Sequence, residues 1–106
     1  NKPLTHGQAV TLDIIFCCVI SHLRNMLSLN DVTRVINTAK ILGLPVFHES
    51  FVKPQLLLES LQDTVKHRNG NQNLPVPKSI GEAIFINDLT YDEICKAVIL
   101  FQSLTK

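Results

Sequence analysis

The chain has 106 residues, of which 45% are hydrophobic and 18% are charged, a composition that excludes a disordered protein and predicts one globular domain. The apolar fraction is high for so small a unit, so we expect another domain or subunit to cover part of its surface. The formal net charge of +1 gives no strong basic field, and we expect neither nucleic acid nor a membrane as a partner.

The three cysteines are an odd count without the spacing of a metal site. Cys17 and Cys18 lie among Ile, Phe and Val, and Cys95 stands far from both. We interpret them as small hydrophobic residues in a reducing compartment, which predicts a cytoplasmic protein. The apolar run over residues 10–20 is too short to span a bilayer, and Asp13 interrupts it.

The first predicted helix runs from about His6 to Met26, and its start is informative. Thr5 and Gln8 have the spacing of a capping box, which would fix where the helix begins and how His6 points. The positive end of a helix favours a neutral imidazole, and that is the form that ligates a metal. The pattern alone leaves two alternatives: a metal ligand, or a polar residue that is merely tolerated there.

Asp13 is a second candidate in the same helix. It follows His6 by seven residues, so both lie on one face, about two turns apart. A carboxylate in so apolar a stretch needs a hydrogen-bonding partner or a wet cavity, and it is either a core residue or part of a site. Residues 14–20 are apolar on all sides, which predicts a helix that other elements surround.

Two further helices are predicted in the middle of the chain. Asn30 and Asp31 are typical N-cap residues for the first of them, which ends at Gly43. The next begins near Pro54, a favourable first-turn residue, and ends before the Asn-Gly turn at 69–70.

Three basic side chains, Lys66, His67 and Arg68, follow one another where this third helix is predicted to end. Cations at a helix C-terminus are stabilised by about 0.3–1 kcal/mol each, which alone would account for them. The alternative is a binding role, in which Arg68 offers a planar fork and Lys66 a point charge to a phosphate or polyhydroxyl compound. His22 and His48 have no partner at ligand spacing, and we interpret both as structural.

The last third of the sequence predicts a hairpin and a final helix. Residues 74–77 read Leu-Pro-Val-Pro, and two prolines exclude both a helix and a central strand. Residues 83–86 form a short β-like run, so one small hairpin is expected. Thr90 and Glu93 form a second capping box that begins the last helix. The predicted fold is therefore mainly α, with a short hairpin insert.

Taken in order, these motifs resemble the C-terminal domain of the sugar phosphate cyclases, the relatives of dehydroquinate synthase. The opening His6-Gly7-Gln8-Ala9-Val10 is similar to the family's His-Gly-Glu-Ala-Val, with an amide in place of the acid. Further similar segments cover nearly the whole chain: Leu42-Gly43-Leu44-Pro45, Thr64-Val65-Lys66-His67-Arg68-Asn69-Gly70, Leu74-Pro75-Val76-Pro77, Ile80-Gly81 and Phe85-Ile86-Asn87-Asp88-Leu89-Thr90.

Within the family, two features resemble the sedoheptulose 7-phosphate cyclases more than dehydroquinate synthase. These are Asp13 and the Asn87-Asp88 stretch. His67 before Arg68 resembles the 2-epi-5-epi-valiolone synthases, because the desmethyl-4-deoxygadusol synthases typically have Thr there.

The resemblance implies an enzyme that depends on NAD and a divalent metal, usually zinc. Such an enzyme eliminates phosphate from sedoheptulose 7-phosphate and closes a carbocycle by an intramolecular aldol reaction. His6 is implied as a metal ligand. Four residues are implied as substrate-binding: Asp13, Lys66, His67 and Arg68.

The resemblance also implies partners for this segment. The family's other metal ligands and its NAD-binding domain lie upstream of the motifs found here. We therefore expect residues 1–106 to be the helical metal and substrate domain, inactive alone, of an enzyme that is a homodimer at full length.

Two other functions remain open. Dehydroquinate synthase itself must bind a substrate carboxylate, but the segment around Lys66 has fewer lysines than such a site is expected to need. A helical interaction module without catalytic activity is the other alternative, for which Gln8 in place of Glu leaves room.

Overall fold

A computed structural model describes residues 5–106, and the elements follow from local signals in the sequence. In chain order they are α1 (His6–Leu23), α2 (Leu29–Ile41), a 3-10 helix (Glu49–Val52), α3 (Pro54–His67), β1 (Leu74–Ser79), β2 (Glu82–Ile86) and α4 (Tyr91–Thr105). The prediction of a mainly helical fold with one short hairpin is confirmed.

The first helix lies at the centre of the fold and packs against α2, β1 and α4. Its residues 15–21 are all buried. Ile14, however, is 53% exposed and borders a groove beside the hairpin turn. The prediction that residues 14–20 are enclosed on all sides is therefore wrong at Ile14, because this residue faces the groove and not the core.

Helix α1 is long enough and apolar enough to cross a membrane. The core helices of soluble proteins can have the same length and composition. The apolar stretch is thus longer than the run over residues 10–20 indicates. Eight residues of α1 are buried inside the fold, as in a core helix. The absence of a membrane partner stays a prediction.

Four phenylalanine rings join the central helix to its neighbours. Phe101 of α4 is fully buried, and its ring centroid lies 5.8 Å from Phe16, 5.9 Å from Phe51 and 6.2 Å from Phe47. Aromatic pairs in this range add about 0.5–1.5 kcal/mol beyond their buried area. The cluster therefore fixes the 3-10 helix and the segment before it against α1 and α4.

The start of α1 is as predicted, but its end is not. The capping box is present, with the Gln8 N–H donating to Thr5 Oγ1 and the Thr5 N–H donating to Gln8 Oε1. The helix ends at Leu23, three residues before Met26, because Asn25 takes a left-handed φ of 62° that no α-helix continues through.

The second helix begins earlier than predicted. Ser28 is its N-cap, and the Ser28 Oγ accepts a hydrogen bond of 3.1 Å from the Asp31 N–H. The prediction that Asn30 and Asp31 cap this helix is wrong, since both lie inside its first turn. Asp31 is still stabilised there by the positive end of the helix.

The hairpin packs one face on α1. Val76 of β1 and Ile86 of β2 are buried, and the Ser21 hydroxyl donates to the carbonyl oxygen of Pro77. The sheet has only two strands, so each keeps an outer edge where a proline removes no ladder hydrogen bond. This explains how a Leu-Pro-Val-Pro segment forms a strand.

The third helix begins at Pro54 as predicted, but it is held less tightly than the others. Its apolar stripe, Leu57, Leu58, Leu61 and Val65, is only half-buried. The reason is that Leu57 and Leu61 face a pocket instead of a filled core.

Candidate functional site

A partly open pocket of about 350 Å³ lies between α1, the 3-10 helix and α3, with β1 beside it. Its wall is mostly apolar and includes Phe16, Leu57 and Leu61. Among the residues that the structure describes, Asp13 and Arg68 are the charged side chains of the lining. An apolar pocket with a few converging polar groups is the common form of a small-molecule site.

The guanidinium of Arg68 is held in place by the loop that follows α3. Its Nη1 donates to the carbonyl oxygens of Gln72, at 3.0 Å, and Asn73, at 2.9 Å. Within residues 5–106, Nε and Nη2 of Arg68 have no hydrogen-bond partner. That edge of the guanidinium can therefore bind two oxygens of an anion in parallel.

Asp13 lines the same pocket from the α1 side. Burial raises the pKa of its carboxyl, and the positive charge of Arg68 partly opposes that rise. The prediction that Asp13 needs a partner or a wet cavity is met by the partly open pocket, and much of the side chain remains exposed. The two charged groups predicted for substrate binding in different elements thus act on each other across one pocket.

The cysteines near Asp13 are inert wall residues. Burial, with a further contribution from the Asp13 charge, raises the pKa of the Cys17 thiol to about 12. Burial raises the pKa of Cys18 to about 11. Both thiols are neutral at pH 7 and poor nucleophiles. Both are also buried and unpaired, as predicted, whereas Cys95 is only half-buried.

The structure places His6 in the first turn of α1 with its side chain exposed, as predicted. His6 and Asp13 lie on one face of this helix, with Asp13 about 10 Å further along the axis. Gln8 completes the capping box through its Oε1, so an amide in place of the acid does not disturb the start of the helix.

An exposed imidazole is an ordinary zinc ligand, but one imidazole does not make a zinc site. Over residues 5–106, no group of three or more His, Cys, Asp or Glu side chains could hold a metal ion. The described residues therefore fit a zinc site to which this segment contributes a single ligand, His6.

Lys66 and His67 are not brought into the pocket. Both are exposed in the last turn of α3, and His67 Nε2 lies 3.9 Å from Asp63 Oδ2 with 78% of the His67 side chain exposed. Because the helix ends at His67, Arg68 departs from the helical path and reaches the pocket, while its two neighbours stay outside. Their predicted substrate contacts remain predictions.

Comparison with known proteins shows which enzymes the chain is similar to. No family model matches the chain. It is 42% identical over 96 residues to the 2-epi-5-epi-valiolone synthase of Streptomyces hygroscopicus subsp. jinggangensis (strain 5008), covering 91% of this chain and 23% of that protein. A solved structure also matches: ValA, the 2-epi-5-epi-valiolone synthase of the same strain, with NAD+ and Zn2+ bound. The TM-score is 0.89 and the sequence identity is 40%, and the match covers 94% of this chain and 28% of the ValA chain. The chain is therefore similar to part of the 2-epi-5-epi-valiolone synthases, which are sugar phosphate cyclases.

Within the sugar phosphate cyclases, the match favours the predicted branch. The 3-dehydroquinate synthase of Blochmanniella floridana is 30% identical over 96 residues, against 42% for the 2-epi-5-epi-valiolone synthase. The resemblance to the latter is thus confirmed. The chain spans about a quarter of the length of the curated relatives that it matches.

Two sets of polar contacts in this chain were not predicted. Gln72 exchanges two hydrogen bonds with the backbone of Leu89, at 2.8 and 2.9 Å. Arg24 donates to Glu93 from Nε, at 2.9 Å, and from Nη2, at 3.0 Å, and to Asp88 from Nη1, at 2.9 Å. Only Glu93 gave a local signal, as a capping-box residue, because the other partners lie far apart in sequence.

The two remaining histidines, which were interpreted as structural, make local contacts. His22 Nδ1 lies 2.9 Å from the carbonyl oxygen of Leu27. The His48 ring accepts a 3.1 Å hydrogen bond from the Ser50 N–H and caps the 3-10 helix. Neither histidine lines the pocket.

Proposed function

We propose that this chain is the metal- and substrate-binding part of an NAD-dependent sedoheptulose 7-phosphate cyclase of the 2-epi-5-epi-valiolone synthase kind. The observation that carries the proposal is that Asp13 and Arg68 line one apolar pocket, and that Nε and Nη2 of Arg68 have no hydrogen-bond partner among the described residues. The homology to 2-epi-5-epi-valiolone synthases supports the choice of substrate.

Arg68 and Asp13 would bind opposite kinds of substrate group. The Nε and Nη2 donors of Arg68 match the paired oxygens of a phosphate, and its fixed charge favours the anion before and after elimination. The carboxylate oxygens of Asp13 accept hydrogen bonds from sugar hydroxyls. The apolar wall excludes water from the reacting carbon atoms, which strengthens both interactions.

His6 would hold zinc through one ring nitrogen, next to ligands supplied by an N-terminal part. When bound, NAD supplies the transient oxidation of a substrate hydroxyl, and zinc the polarisation of substrate oxygens. Two observations support this role: the exposed first-turn position of His6, and the presence of NAD+ and Zn2+ in the ValA structure. The N-terminal NAD-binding domain is therefore the first partner proposed for this segment.

We further propose that the full-length protein is a cytoplasmic homodimer. The unpaired, buried thiols of Cys17 and Cys18 support a reducing compartment. The apolar side chains of Ile41 and Ile99, 85% and 70% exposed, support coverage of this domain by other protein surface.

The decisive experiment assays the full-length protein, supplied with NAD and zinc, for phosphate release. We expect turnover of sedoheptulose 7-phosphate and none of the heptulosonate phosphate that dehydroquinate synthase uses. Arg68→Ala should lower kcat/KM by about a hundredfold. Arg34→Ala is the matched control, because Arg34 is 68% exposed and pairs with Asp31 on its own helix. A preference for the heptulosonate, or equal effects of the two variants, would contradict the proposal.

The metal role is tested separately by zinc content. His6→Ala should remove zinc and activity together. His67→Thr should keep zinc. It should lower the turnover rate, or change the ratio of products, by about tenfold or more, since a neutral histidine both donates to and accepts from hydroxyls. Loss of zinc in His67→Thr would show that the two roles are wrongly assigned.

A further inference from the structure

The Arg68 guanidinium is oriented by a loop that has little helix or strand of its own. Both carbonyls that bind Nη1 belong to this loop, residues 69–73. Asn69, Gly70 and Asn73 have positive φ values of 55°, 83° and 45°. A short, exposed loop of this kind samples many conformations unless it is held from outside.

The loop is held from outside by the side chain of Gln72. Its Oε1 accepts from the Leu89 N–H at 2.8 Å, and its Nε2 donates to the Leu89 carbonyl at 2.9 Å. Leu89 is buried and immediately precedes Thr90, the N-cap of α4. The two bonds have opposite polarity, so they fix which way the amide faces. Gln72 therefore attaches the loop to a rigid part of the fold.

A second contact supports the same attachment. The Asn73 N–H donates to Asn87 Oδ1 at 2.9 Å, so both loop residues that bind Nη1 are tied to the segment between β2 and α4. With Nη1 occupied by the two carbonyls, the Nε and Nη2 edge of the guanidinium is left for a ligand.

We propose that Gln72 is a positioning residue that acts through Arg68, and that it fixes the free edge of the guanidinium for a phosphate-bearing substrate. This inference rests on the proposed function for the identity of the substrate. It needs no chemistry from Gln72 itself, whose amide nitrogen and oxygen both bind the backbone of Leu89.

The test is a double-mutant cycle in the full-length protein with sedoheptulose 7-phosphate. Gln72→Ala should raise KM about tenfold with a smaller change in kcat. The reason is that Arg68 is no longer held in one orientation, which weakens the binding of substrate and transition state by similar amounts. In an Arg68→Ala background the same change should leave KM unaltered. Gln62→Ala, at an exposed position of α3, is the control and should change neither constant. An equal rise of KM in both backgrounds would overturn the inference.

A second measurement does not depend on the proposed function. In the full-length protein with labelled arginine, the Nη1 and Nη2 signals of Arg68 should be resolved by NMR, since two hydrogen bonds hinder rotation of the guanidinium. Gln72→Ala should average them, while Gln62→Ala should not. Resolved signals in Gln72→Ala would overturn the positioning role whatever the substrate is. Averaged signals in a protein that does not turn over sedoheptulose 7-phosphate would support the positioning role and reject the proposed function.

Discussion

The two halves of α1 differ sharply although they form one continuous helix. Over residues 6–14 only Leu12 is buried, whereas residues 15–21 are all buried. Both candidate site residues of this helix, His6 and Asp13, belong to the first half. The second half packs in the core that α2, β1 and α4 share. One helix thus serves as the core at one end and presents functional side chains at the other.

This difference separates stability from function along a single element. The first half exposes Val10 and Ile14, by 42% and 53%, on the side where the proposed N-terminal part must bring its metal ligands. The second half fixes the direction of the helix and therefore the positions of His6 and Asp13. Substitutions in the second half should reduce stability, and those in the first half should mainly reduce activity.

The largest effect is expected from two adjacent isoleucines that lie on either side of this boundary. Ile15 is 1% exposed and Ile14 is 53% exposed. Ile15→Ala should lower the free energy of unfolding by about 2–5 kcal/mol, because it leaves a cavity in the core. Ile14→Ala should change it by about 0.5 kcal/mol or less. Urea unfolding of the chain followed by circular dichroism measures both, and similar losses would mean that the boundary is misplaced.

A smaller effect is expected where the buried half ends, at Arg24. This side chain is 21% exposed and binds Glu93 and Asp88, so Arg24→Ala should cost about 1–3 kcal/mol of unfolding free energy. Arg34→Ala removes a pair that is exposed and local, and should cost about 0.5 kcal/mol or less. If the two variants unfold at the same urea concentration, the contact between α1 and α4 does not stabilise the fold.

A comparable test sharpens the account of the exposed half. Thr5→Ala removes the hydroxyl that caps α1 and should cost about 1 kcal/mol. It should also speed amide hydrogen exchange in the first turn, which carries His6. Thr5→Ser retains a capping oxygen and should restore both properties. Unchanged exchange in Thr5→Ala would show that the cap does not hold His6 in place.

The fold was largely predictable because its signals are local. The capping boxes at Thr5 and Thr90, the proline at position 54 and the paired prolines of β1 each act within a few residues. The errors arose where two local signals competed. Asn30 and Asp31 are good caps, but Ser28 stands earlier and is the N-cap of α2. Asn25 ends α1 because it adopts a left-handed φ, a conformation that asparagine permits but does not require.

The site was predictable as a set of residues but not as an arrangement. Asp13 and Arg68 lie in one pocket only because α3 packs on α4 and the 3-10 helix and so stands across the pocket from α1, and no spacing in the sequence encodes that arrangement. Similarly, Lys66 and His67 lie in the last turn of α3 and stay outside the pocket, whereas Arg68 follows the end of that helix and lines the pocket. Gln72 gave no signal because its partner, Leu89, is 17 residues away.

The smallest effect is expected at Asp13, in the exposed half, and it depends on pH. Burial raises the pKa of this carboxyl above its usual 3.8, with Arg68 opposing the rise. The folded protein therefore binds the proton more tightly than the unfolded chain does. Stability falls as the pH rises from 3.8 through the pKa of the folded state, and the cost of the ionised carboxylate is fully present once the pH lies above that pKa.

Asp13→Asn removes that cost, so the variant should be more stable than the parent at pH 7, by about 0.5 kcal/mol or less because solvent reaches much of the side chain. The difference should disappear below pH 3.8, where the parent carboxyl is neutral in both states. Asp63→Asn, whose side chain is 73% exposed, is the control and should show no such trend. A variant that is less stable than the parent at pH 7 would mean that attraction to Arg68 outweighs burial. In that case the pocket would favour a charged Asp13, and its carboxylate would be held by Arg68 instead of being free to accept substrate hydroxyls.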